Sequence, residues 1–149
     1  MIEVVAECGQ VHGGSLDTAL HLVEEAARAG CSAVKFQHLE PSRLASPRAP
    51  LYWDEKNPAI TNQREAFAAN GTLTHAEWEK VADFCRALGV EFMSTPFHLE
   101  AVAELLGLGV KRFKLASGDI THKQLIEAVA ATGLPMILST GSATFEEHL

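Results

Sequence analysis

The sequence predicts an alternating α/β fold built on a parallel sheet. Three observations predict it. Short apolar runs of strand length recur along the 149 residues, separated by stretches whose apolar residues repeat at helical spacing. Four of the helical stretches end near Gly30, Gly89, Gly109 and Gly133, and each leads within a few residues into the next apolar run. Each of the five apolar runs ends on polar residues. The carboxyl ends of strands are where α/β proteins hold ligands, in open sheets and closed barrels alike.

Taken in order, Ile2 to Ala6 is the first strand, and it ends at Glu7. Cys8 to Gly14 follow as a glycine-rich loop. Ser15 is placed to cap a helix, with Asp17 in the first turn, where a carboxylate suits the helix dipole. Leu16, Ala19, Leu20, Val23, Ala26 and Ala27 form its apolar stripe. Ser32 to Gln37 is the second strand. Val34 and Phe36 share one face and Lys35 and Gln37 the other, because strand side chains alternate.

Residues 38–73 form an irregular insertion. Pro41, Pro47, Pro50 and Pro58 deny it much regular structure before a helical piece from Asn62 to Ala69. Tyr52 and Trp53 within it are candidates to pack on their own domain or on a neighbouring subunit. Thr74 and Glu77 make a capping-box pattern. The helix they open turns Trp78, Val81, Ala82, Phe84, Cys85 and Leu88 inward. Val90 to Ser94 is the third strand, running into Thr95-Pro96-Phe97, and a helix from Leu99 to Leu106 follows. Lys111 to Ala116 is the fourth strand, with Phe113 and Leu115 on one face and Arg112, Lys114 and Ala116 on the other. It closes in a Ser117-Gly118-Asp119 turn. Thr121 caps the next helix, with Leu125, Ile126, Val129 and Ala130 inward. Pro135 to Leu138 is the fifth strand, ending Ser139-Thr140-Gly141, and Thr144 starts a further helix.

Composition narrows the function. The net charge of -7, with no basic run, speaks against a nucleic-acid groove. Cys8, Cys31 and Cys85 are odd in number and widely spaced, which fits reduced thiols better than disulfides or a zinc knuckle. Met1-Ile2-Glu3 puts an acid where a signal peptide carries basic residues, and the longest apolar runs fall far short of a membrane span. A cytoplasmic protein with no membrane partner is expected.

The strand ends carry Glu7, then Lys35 and Gln37, then Ser94 and Thr95, then Lys114, Ser117 and Asp119, then Ser139 and Thr140. Such a set suits a small, doubly anionic ligand. Lys35 and Lys114 supply charge, and Thr95, Ser117 and Ser139 supply hydrogen-bond donors. A surface lysine on a solvated edge strand is the plainer reading of any one of these residues. His12 reads as a ligand or base, or as a solvated loop residue. His38, His98 and His122 follow strands, where a capping or surface role competes with a place on a pocket rim. Cys8 lacks a neighbour that would lower its pKa and reads as buried filler. The Gly-Gln-Val-His-Gly-Gly loop fits neither the Walker nor the Rossmann spacing.

Together these segments resemble the sialic acid synthases over nearly the whole chain. The resemblance is carried by Ala6-Glu7-Cys8-Gly9 with His12-Gly13-Gly14, Val34-Lys35-Phe36-Gln37, Phe92-Met93-Ser94-Thr95-Pro96-Phe97, Lys114-Leu115-Ala116-Ser117-Gly118-Asp119 and Ile137-Leu138-Ser139-Thr140-Gly141, in order and spacing. It implies a TIM-type (β/α)8 barrel, of which residues 1–149 would be the N-terminal part, with about five strands and four helices. A five-stranded doubly wound open sheet is the structural alternative.

The implied reaction condenses phosphoenolpyruvate with an N-acetylated amino sugar, such as N-acetylmannosamine, to a sialic acid-type product and phosphate, in a homo-oligomer. By resemblance, Lys35 and Lys114 hold the carboxylate and phosphate of phosphoenolpyruvate, helped by Thr95, Ser117 and Ser139. Gln37 and Asp119 face the sugar, and Glu7 orients or protonates the reacting carbonyl. A divalent metal, manganese or magnesium, acts on the sugar aldehyde, its ligands lying outside this chain. Two departures bear on the sugar: Asp119 stands where the family usually has glutamate, and Val11-His12-Gly13-Gly14 where it has Asn-His-Asn-Gly. Two other classes compete. One is a non-catalytic anion-binding or assembly domain; the other is a related phosphoenolpyruvate-using barrel aldolase acting on a different aldehyde.

Overall fold

Alternation gives every strand two faces, and the chain fills them differently. The computed structural model describes residues 2–141 and 143–146. The element order is β1 (Val5–Gly9), α1 (Leu16–Arg28), β2 (Ala33–His38), α2 (Pro41–Leu44), α3 (Gln63–Ala69), α4 (His75–Leu88), β3 (Glu91–Pro96), α5 (Leu99–Gly107), β4 (Phe113–Leu115), a 3-10 turn (Ser117–Asp119), α6 (Lys123–Ala130) and β5 (Met136–Leu138). One face of the strands, carrying Val34, Phe36, Phe92, Phe113 and Leu115, packs into a single apolar core with the inner stripes of α1, α4, α5 and α6. Phe36 and Phe113 are fully buried, each worth about 1.5–3 kcal/mol relative to exposure.

The strands run parallel. β1, β2 and β3 pair in that order, β4 pairs with β5, and β4 lies against β3. Each step goes to the next strand in sequence. A doubly wound sheet reverses strand order at its switch point. The described strands show no reversal, so the open doubly wound alternative is not the architecture.

Local chemistry sets most boundaries. Ser15 caps α1 by accepting from the Thr18 amide. Thr74 and Glu77 form a reciprocal capping box on α4, and Gly89 ends that helix in a left-handed turn at φ 71°. Elsewhere the boundaries differ from expectation for physical reasons. β1 begins at Val5, because its partner β2 begins at Ala33, opposite Val5; Ile2 and Val4 are exposed. Pro41 starts a helical turn instead of forbidding one, since its missing N–H and fixed φ suit the first helical position. Leu88 is exposed, because the inward stripe of Trp78, Val81, Ala82 and Cys85 ends a turn before the Gly89 cap. His122, not Thr121, occupies the cap position of α6, its amide donating to the Asp119 carbonyl of the 3-10 turn. The helix expected from Thr144 has not begun at Thr144 or Phe145; Glu146 stands in a 3-10 turn, and the later residues lie outside the described ones.

The glycine-rich loop is locked from two sides. His12 is buried, not solvated, and its Nδ1 accepts from the Gly14 amide at 3.1 Å. Its ring stands edge-on to Trp78 at 5.5 Å and tilts against Phe36 at 6.1 Å. That position is on the helix side of the sheet, so His12 shapes the loop. From above, Gly71 at the end of the insertion presses on the same loop. A Cβ at Gly71 would stand 2.7 Å from both the Gly13 carbonyl oxygen and the Gly14 nitrogen, and Gly71 has φ +70°. Gly71→Ala is expected to lower the unfolding free energy by about 2 kcal/mol or more, left-handed strain alone costing about 1–3 kcal/mol. Gly13→Ala, with φ +56° and open space around its Cβ, should lose only the strain. Chemical denaturation midpoints of the two variants check this.

Candidate active site

The second strand face, turned away from the helices, carries the site. Lys35 projects from the middle of β2 and is 10% exposed. A buried ammonium needs partners. The Glu7 carboxylate, from the neighbouring β1, meets Lys35 Nζ at 2.5 Å, and Lys35 Nζ donates to Thr95 Oγ1 of β3 at 3.4 Å. The other oxygen of Glu7 accepts from the Gly9 amide at 3.1 Å. Three adjacent strands thus bring an acid, a cation and a hydroxyl together on one face of the sheet.

Lys114 of β4 completes the set from the other side. Its Nζ donates to Ser139 Oγ at 2.5 Å and to the Leu115 carbonyl at 2.7 Å. Burial and then repulsion from Lys35 hold the Lys114 amine below its usual 10.5, with Glu7 opposing. Two ammonium groups close enough to repel, framed by hydroxyls, make a candidate anion site. Ser117 begins the 3-10 turn that follows β4, its Oγ 3.3 Å from the place a Gly141 side chain would fill. Ser94 is different: it is fully buried on the helix face, with Oγ unpartnered.

Gln37 and Asp119 line an adjoining cavity of about 460 Å3. Asp119 Oδ1 is 3.6 Å from His122 Nδ1, and Oδ2 is buried without a hydrogen-bond partner. Burial raises the Asp119 carboxyl above its usual range, with His122 opposing. Leu44 and Phe67 of the insertion and Phe97 after β3 give this cavity apolar walls, with Gln63 of the insertion also lining it. The only sign of this wall in the sequence was a pair of aromatics, Tyr52 and Trp53, in a polar stretch. Trp53 packs on Phe67 of its own domain, and Tyr52 on Trp53.

The remaining candidates fall outside. His38 is buried on the helix side, its Nε2 2.7 Å from Glu104, and His98 caps α5. Burial pushes the Cys8 thiol up to about 11, in keeping with filler. Among the described residues no cluster of three or more His, Cys, Asp or Glu is arranged to hold a metal ion. No helix among them is long and apolar enough to cross a membrane.

A family model described as the NeuB family matches residues 22–148. The chain belongs to the NeuB family. The N,N'-diacetyllegionaminic acid synthase of Legionella pneumophila is 35% identical over 146 residues, covering 97% of this chain and 41% of that protein. The pseudaminic acid synthase of Helicobacter pylori is 31% identical over 153 residues, covering 97% of this chain and 43% of that protein. Among solved structures, the N-acetylneuraminic acid synthetase of Leptospira borgpetersenii serovar Hardjo-bovis, in complex with citrate, superposes with a TM-score of 0.82 at 30% identity. That match covers 98% of this chain and 47% of the other. This NeuB-family chain therefore spans less than half the length of these relatives.

The depressed Lys114 gives the anion site a pH signature. Its protonated form binds anions, so affinity falls as pH rises through a pKa lying below 10.5. Calorimetric titration with inorganic phosphate should show weakening at lower pH than an ordinary lysine gives. Lys114→Gln should remove that step.

Proposed function

We propose that this chain carries the phosphoenolpyruvate-binding part of a TIM-type barrel synthase that condenses phosphoenolpyruvate with an N-acetylated amino sugar, giving a nonulosonic acid and phosphate. One observation carries the reading: in a NeuB-family chain, Lys35 and Lys114, from strands two apart, converge on one sheet face with Thr95 and Ser139 beside them. Phosphoenolpyruvate has two anionic ends on a short rigid frame, which suits two fixed cations. Lys35 and Lys114 bind those ends, and the hydroxyls of Thr95, Ser117 and Ser139 orient them. Gln37 and Asp119 hold the sugar in the adjoining cavity.

In the reaction, the enol carbon forms a bond to the sugar aldehyde carbon, whose oxygen takes up a proton. Water adds at the phosphate-bearing carbon, and the bond to phosphate breaks. Glu7, paired with Lys35 and 57% exposed, reaches the reacting carbonyl and handles its proton. A divalent metal, as the resemblance implies, would act on the sugar aldehyde; among the described residues no cluster of three or more His, Cys, Asp or Glu is arranged to hold it. The protein works as a homo-oligomer in the cytoplasm.

Phosphoenolpyruvate should bind in calorimetry, with manganese absent or present. Lys114→Ala removes a charge-assisted contact worth about 1.5–3 kcal/mol and should weaken binding roughly ten- to hundredfold. Unchanged affinity in that variant, or no binding by well-folded protein, would sink the proposal.

A further inference from the structure

The insertion ends on a backbone contact that admits no side chain. Gly71 has φ +70°, and a Cβ on it would meet the Gly13 carbonyl oxygen and the Gly14 nitrogen at 2.7 Å. The fold therefore requires glycine at 71. The residue before it is Asn70. Asparagine followed by glycine is open to a covalent change, because the glycine nitrogen can reach the asparagine side-chain carbonyl carbon with no side chain of its own in the way.

The chain has three asparagines, and the structure separates them. Asn57 precedes Pro58, whose nitrogen has no hydrogen to give up, and its Oδ1 accepts from the Ala59 amide at 3.0 Å. Asn62 precedes Gln63. Its Oδ1 accepts from the Glu65 amide at 3.0 Å, and its Nδ2 donates to Thr61 Oγ1. Asn70 is exposed, and its side chain hydrogen-bonds to no other described residue. Its φ of -73° and ψ of -9° are ordinary right-handed backbone, so the cap of α3 does not call for asparagine. Ring closure at Asn70 turns ψ away from that value. One backbone hydrogen bond opposes the turn, from the Gly71 amide to the Ala68 carbonyl at 3.0 Å. It lies at the end of a seven-residue helix, where local opening is easiest.

We infer that Asn70 is a deamidation site, and that its isoaspartyl product unseats Gly71 from the glycine-rich loop. The Gly71 nitrogen gives its proton to solvent base and bonds to Asn70 Cγ. The bond from Cγ to Nδ2 breaks, and Nδ2 takes a proton from solvent and leaves as ammonia. Water then opens the succinimide. Breaking the new bond to Cγ gives aspartate. Breaking the bond from Gly71 nitrogen to the main-chain carbonyl carbon gives isoaspartate, with the chain running through Cγ. Either way one ammonia is lost and one water taken up, with no oxidant or reductant. Isoaspartate lengthens the main chain by one methylene just before Gly71, where two backbones already touch. Both products put a negative charge at the carboxyl end of α3, which the helix dipole disfavours. The loop so loosened includes Gly9, whose amide donates to Glu7, so a change at an exposed residue reaches the candidate active site. The chemistry at Asn70 does not depend on the proposed function.

The test keeps the full chain for days in warm, mildly alkaline buffer, then digests it for mass spectrometry with electron-transfer fragmentation, which tells isoaspartate from aspartate. The peptide holding Asn70 should gain about 1 Da in most molecules, with isoaspartate the larger product, while Asn57 and Asn62 stay intact. Hydrogen exchange over residues 9–14 should be faster in aged than in fresh protein, and the denaturation midpoint lower. Asn70→Ser, which cannot form the succinimide, should keep both readouts at its own fresh values after the same treatment. Intact Asn70 in the aged protein overturns the inference. So does conversion at Asn70 that leaves exchange over residues 9–14 unchanged, and so does equal loosening of the aged Asn70→Ser protein.

Discussion

A lysine buried in the middle of a parallel sheet is the constraint from which the rest follows. Lys35 sits between two neighbouring strands on the face that the helices do not cover. An ammonium there without partners would be costly. It is held because β1 offers Glu7 and β3 offers Thr95 at the right level. That level is set by register: Glu7 lies opposite Lys35, and Gln37 opposite Thr95. A slip of one residue would turn Lys35 into the helix layer and Phe36 out of it. The residues that form the core and those that form the site are therefore fixed by the same pairing, and a change tolerated by one is felt by the other.

This explains what was legible in the sequence. Strand alternation placed Phe36 and Lys35 on opposite faces, and Phe113 and Lys114 likewise, so two cations and their shared face could be read directly. Caps at Ser15 and Thr74 and the left-handed Gly89 are local chemistry and were equally plain. The misreadings came where a partner, not the segment itself, decides. Ile2 is apolar but has no strand beside it. Ser94 is polar yet falls on the helix face, since it is in phase with Phe92. His12 is a loop residue by sequence but is buried because Trp78 and Phe36 meet over it. The apolar wall of the insertion had no period to reveal it, because α2 and α3 and the chain between them are too short and irregular to carry a stripe.

The apolar β5 shows the same rule from the other side. Met136, Ile137 and Leu138 are each more than a third exposed, although their composition is that of a buried strand. Among the described elements β5 hydrogen-bonds only to β4. Ser139, which anchors Lys114, follows directly on this strand. The Lys114 half of the anion site is consequently held less firmly than the Lys35 half, which has a ladder on both sides. Any contact that covers β5 would stiffen Lys114 as well, so packing at that edge and anion affinity are linked through one serine.

The two ends of the site are built by different means, and that division has a consequence. The anion end comes from regular strands, where each polar residue is tied to the core by alternation and register. The other end comes from an insertion braced by its own contacts: Arg64 on backbone carbonyls, Gln63 on the Pro50 carbonyl, and Trp53 on Phe67. Leu44 and Tyr52 lie outside the strand ladder and the core, whereas Lys35 is paired with a strand on each side. Gly71 is where the two systems touch, pressing the end of the insertion onto the loop that follows Glu7. A side chain there would push the end of the insertion away from the glycine-rich loop, which ties the irregular end of the candidate site to the strand-built one at a single backbone contact.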